Sequence, residues 1–154
     1  MIFFALALSW VKELSENIIP KAEDIFLYFD VNRQKDKVVR SVSFGGFSGK
    51  GNRIVKLTNT QFDLLHHFAS LQKNGKEPWL EIKPKNNPSK SKQYDISDYN
   101  EIKRLLIALL DGLFGKGNWT KEQHLTPLKN SLFELSEKRE RKIRMRLHPS
   151  NIHL

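Results

Sequence analysis

Six of the nine residues from Lys138 to Arg146 are cationic: Lys138, Arg139, Arg141, Lys142, Arg144 and Arg146. In the second half of this run Lys142, Arg144 and Arg146 alternate with Ile143, Met145 and Leu147. A period of two puts apolar side chains on one face of a β-strand and cations on the other. The chemistry of such a face is recognition of a polyanion, and nucleic acid is the first candidate.

Residue types that could support other chemistry do not assemble into sites. His66 and His67 are adjacent on a helical pattern, so their side chains diverge by ~100° and cannot hold one metal from one face. His124, His148 and His153 have no carboxylate or second histidine at ligand spacing. Gly49-Lys50-Gly51 and Gly115-Lys116-Gly117 lack the spacing and the following Ser or Thr of a phosphate-binding loop. No nucleophile–base set is visible, so neither an enzyme nor a bound metal or cofactor is expected.

Composition agrees with a binding protein. The 154 residues carry a net charge of +9 and no cysteine, which excludes disulfides and thiolate zinc sites and fits a reducing cytoplasm. Over residues 1–30, Lys12 and Lys21 stand against Glu13, Glu16, Glu23, Asp24 and Asp30. The basicity therefore belongs to the chain after residue 30. The opening apolar run is too short to cross a bilayer and has no preceding cation, which argues against a membrane span or a signal peptide. Phe3, Leu6, Trp10, Leu14 and Ile18 instead form one helical stripe, so residues 1–20 read as an amphipathic helix that contacts the domain, a homodimer mate or another protein.

The elements that must position the cations follow from periodicity. Ile25 to Val31, Val38 to Phe44 and Arg53 to Leu57 read as three short antiparallel strands, with a polar turn from Asn32 to Lys37. Thr58-Asn59-Thr60-Gln61 is a capping box opening a helix whose apolar face is Phe62, Leu65, Phe68, Ala69 and Leu71, with Leu64, and which stops before Gly75. Trp79 to Ile82 suits a short strand, and Lys83 to Lys92 a polar basic loop. Ser97 or Asp98 caps a second helix with Ile102, Leu105, Leu106, Leu109, Leu110 and Leu113 inside and Gly115 at its end. Thr120-Lys121-Glu122-Gln123 is another capping box, and Leu125, Leu128, Leu132 and Leu135 continue at helical intervals. Pro127 leaves two options: it sits in the first turns of that helix, or Thr126-Pro127 begins a new one.

This order resembles a winged helix-turn-helix domain. The segment Val55-Lys56-Leu57-Thr58-Asn59-Thr60-Gln61-Phe62-Asp63-Leu64-Leu65 is similar to the strand-into-helix start of the OmpR/PhoB-type effector domains, with Gln61 in place of the usual acid. The resemblance spans Ile25 to Leu147 in element order but only about a dozen residues in motif. It departs from that family in lacking a glycine between Glu137 and Arg141, in its longer loop from Lys83 to Lys92, and in having no receiver domain.

The resemblance implies an α+β winged-helix domain over residues 21–154, binding double-stranded DNA as a transcriptional regulator. A recognition helix near 121–136 would present Lys129, Asn130 and Ser131, with Gln123 and His124 if it starts early. A basic wing near 138–147 would use Lys138, Arg139, Arg141, Lys142, Arg144 and Arg146 on phosphates or in a minor groove. The alternatives are an RNA-binding or ribosome-associated domain, a protein-interaction module of the same fold, and a membrane-surface protein.

Overall fold

The computed structural model describes residues 19–47, 53–75, 78–81, 99–136 and 142–154. The helix expected over residues 1–20 lies outside these except for Ile19 and Pro20, as do Lys138, Arg139, Arg141 and the loop from Lys83 to Lys92.

The fold is mixed α+β with two sheets. Strands β1 (Phe26–Gln34) and β2 (Lys37–Gly45) pair antiparallel along their whole length. The polar turn expected from Asn32 to Lys37 shrinks to Lys35 and Asp36. Asn32, Arg33 and Gln34 face Val39, Val38 and Lys37, so each extra pair adds ladder hydrogen bonds that a loop would forgo. Lys35 accommodates the tight reversal with a φ of 51°. Strand β3 (Arg53–Lys56) pairs with β2. On the other side, the terminal strand Ile152–His153 lies parallel to β1, a pairing that two residues give no sequence signal for.

Helix α1 (Asn59–Asn74) opens on the expected capping box. Thr58 Oγ1 accepts from the Gln61 amide at 3.2 Å and Gln61 Oε1 accepts from the Thr58 amide at 3.3 Å. Its buried stripe is Phe62, Leu65, Phe68 and Ala69. Strand β4 (Leu80–Glu81) follows, then helix α2 (Tyr99–Phe114), whose six predicted interior residues are all buried. Gly115 ends α2 with a φ of 95°, a left-handed position suited to glycine. Close approach also matters at Gly112, where an added Cβ would lie 2.5 Å from Val55 Cγ1. Thus α2 rests directly on β3.

The third helical element is a π-turn (Lys121–Leu125) running into helix α3 (Thr126–Leu132). Of the two options for Pro127 the second is the nearer: a new helix opens at Thr126-Pro127, with Leu125 and not Thr126 in the cap position. Proline has no amide to give and its ring crowds the carbonyl four residues back, so the chain widens by one residue ahead of it. The element ends at Leu132, three residues short of the leucine series expected to reach Leu135. Residues Phe133–Leu135 form strand β5 instead, pairing with β6 (Lys142–Met145), while the Phe133 ring packs 4.9 Å from Phe68. Leu135 is left 47% exposed. The second sheet has the order β4-β6-β5 and is antiparallel throughout. One core, from Ile25 to Ile152, joins both sheets through α1 and α2.

Candidate nucleic-acid interface

The start of the third helical element is fixed by a braced turn. The Gly115 amide donates to Asp111 O, the Asn118 amide to Gly115 O, and Trp119 Nε1 to Asp111 Oδ1 at 2.7 Å. Trp119 is half-buried and packs against the core. Thr120 caps the π-turn by accepting from the Gln123 amide at 3.2 Å. The return bond expected from Gln123 is made by His124: its Nδ1 accepts from the Thr120 amide at 3.0 Å.

That bond corrects the sequence reading of His124. The residue faces inward, 5% exposed, with its ring 4.8 Å from Phe114. Its Nε2 is buried without a hydrogen-bond partner among the described residues. Ser131 is corrected too. Its hydroxyl donates to the Pro20 carbonyl at 2.7 Å, which ties the last turn of α3 to the chain entering β1. Lys129 is half-buried and not without a partner. Asn130 is exposed as expected.

With His124, Leu128 and Leu132 buried, the outward side of the element carries Lys121, Glu122, Gln123, Thr126 and Asn130. The sequence offers Thr126 only as the cap of a helix begun by Thr126-Pro127. Counting three and seven residues on from Gln123 along one helical face would have found Thr126 and Asn130 together. Amide and hydroxyl groups of this kind can donate and accept at base edges, with Asn or Gln matching adenine.

The alternation in β6 is present. Ile143, Met145 and Leu147 are fully buried, while Lys142 and Arg144 are half-buried and Arg146 is exposed. The cations are not equivalent, however. Arg144 donates through Nε at 2.9 Å and Nη2 at 2.6 Å to one oxygen of Glu134 on β5, and its guanidinium lies 4.9 Å from the Trp79 ring centroid. Lys142 stands opposite Glu81 of β4 in the strand register. The backbone amide of Arg146 donates to Leu132 O at 2.7 Å, so this residue sits where α3 passes into β5. The expected uniform cationic face is in fact one exposed arginine, one arginine paired with an acid and one half-buried lysine.

Elsewhere, His66 and His67 line an open cleft of about 920 Å³ with Asp63, Ser70, Glu101 and Arg104. His66 is wedged between Phe29 and Phe62, with Ser70 Oγ 3.3 Å from its Nδ1. Among the described residues no group of three or more His, Asp or Glu side chains is arranged to hold a metal, and no helix is long and apolar enough to cross a membrane. No protein-family model, curated protein or solved structure matches the chain.

Proposed function

We propose that this protein is a cytoplasmic double-stranded DNA-binding regulator of the winged-helix kind, reading the major groove with the element Lys121–Leu132. The observation that carries this reading is the connectivity helix–strand–helix–helix–strand–strand, with the three strands ordered β4-β6-β5. In that arrangement the helix after a short glycine turn packs one face on the core and turns the other outward, and the following hairpin becomes its wing. Gln123, Thr126 and Asn130 supply groups for base edges, and Lys121 and Arg146 supply phosphate contacts at either end of the element. The three antiparallel strands ahead of α1 and the Thr58-capped helix start extend the likeness to the OmpR/PhoB-type effector domains.

A protein-interaction module is the second reading, because Arg144, one of the two β6 cations, is already paired with Glu134. Salt titration separates the two readings. Binding of labelled random duplex DNA, structured RNA and anionic vesicles is followed from ~50 to ~200 mM salt. The DNA reading expects log affinity for duplex to fall linearly with log salt, and duplex to be preferred over RNA at equal salt. Preference for structured RNA supports the ribosome-associated alternative. No duplex affinity at low salt overturns the proposal.

A further inference from the structure

We infer that Glu134 masks Arg144, acting as an intramolecular stand-in for phosphate, so that the wing sheet contacts nucleic acid through Arg146 and not through its central arginine. The inference deepens the DNA-binding reading and rests on it for its biological meaning.

Both groups of Arg144 that point along one edge of the guanidinium, Nε and Nη2, are spent on a single carboxylate oxygen of Glu134. This is one of the two edges an arginine can offer to a phosphate. The indole of Trp79 covers a face of the same guanidinium and holds it in plane. The pair is cross-strand, since Glu134 and Arg144 are register partners of β5 and β6. No backbone movement is therefore needed to form it, and the two charges cancel on the surface where a phosphate would approach. Two residues on, Arg146 has no strand residue of β5 opposite it, because α3 ends at Leu132. It remains exposed.

The consequence for recognition is quantitative. Each phosphate neutralised on B-DNA adds about 0.9 to the magnitude of the salt slope, and this gain is the same for every sequence. A masked Arg144 withholds that sequence-independent increment. The uncharged stripe on α3 then decides a larger share of the affinity.

The experiment compares wild type, Arg144→Ala, Glu134→Gln and the double variant on random duplex DNA across the same salt range. Circular dichroism and thermal unfolding check that each is folded. Glu134→Gln keeps the shape of the side chain and removes its charge. The masking model expects Arg144→Ala to leave the slope unchanged. It expects Glu134→Gln to steepen the slope by about 0.9 and raise affinity on the order of tenfold at ~0.1 M salt. The double variant should return to wild type, because the gain runs through the freed guanidinium.

Three outcomes overturn it: a slope already flattened by about 0.9 in Arg144→Ala, no gain in Glu134→Gln, or a gain that survives in the double variant. If wild type has no duplex affinity, the proposed function fails by itself. The same four proteins on heparin then decide the masking, by the same pattern of gain and return.

Discussion

At the residue scale, Arg144 on β6 and Arg146 just beyond its end are predicted to behave oppositely. Arg146→Ala should flatten the salt slope of duplex binding by about 0.9, whereas the paired Arg144 should contribute little. The Arg144–Glu134 pair is about one-third exposed on each side. Its worth to stability is therefore ~1 kcal/mol or less, and thermal unfolding of Arg144→Ala should stay within a few degrees of wild type. Asn130 is a different type of residue and makes a different prediction. Asn130→Ala should leave the salt slope unchanged but cost about 1–3 kcal/mol at a preferred site, relaxing discrimination there. A selection of bound sequences from a random duplex library, compared between wild type and variant, reads this directly. Equal loss on all sequences would place Asn130 on the backbone instead.

At the element scale, local chemistry was legible and competition between elements was not. The Thr58 box and the α2 stripe could be read from residues three and four apart, because their determinants lie within one or two turns. Thr58→Ala should cost about 0.5–2 kcal/mol, seen as a lowered denaturant midpoint at unchanged slope. The end of α3 could not be read that way. Leu135 continues the helical series, but Phe133 gains the Phe68 ring and a strand partner ten and more residues away. A single-segment pattern holds no information about that partner. His124 shows the same limit: its inward turn depends on the Thr120 amide and on Phe114, while the sequence shows only a polar residue near a helix start. The masking acid was equally hidden, since Glu134 and Arg144 become neighbours only once the β5–β6 register is set.

At the scale of the whole molecule, both sheets hang on two helices, so packing errors between α2 and β3 should be felt globally. Gly112 is the sharpest case. A methyl group there would meet Val55 Cγ1 at 2.5 Å and Cγ2 at 2.8 Å, and Val55 is 1% exposed. Gly112→Ala should destabilise by about 1–3 kcal/mol through overpacking, despite the better helix propensity of alanine. Thermal unfolding measures it, and an unchanged or raised Tm would show that β3 can retreat. The coarse α+β class and most element positions were legible because they follow from hydrophobic period. The parallel strand at Ile152–His153 was not, being fixed by β1 more than a hundred residues earlier.

The bond from Ser131 to the Pro20 carbonyl has a mechanical consequence. It staples the chain just before β1 to the last turn of α3, so a load applied upstream of Ile19 reaches the proposed reading helix before it reaches either sheet. Surface tethers and bulky fusions attached on that side would strain the part of the molecule whose binding they are meant to report. Leu154, exposed beside the four-stranded sheet, offers an anchor that leaves this linkage slack.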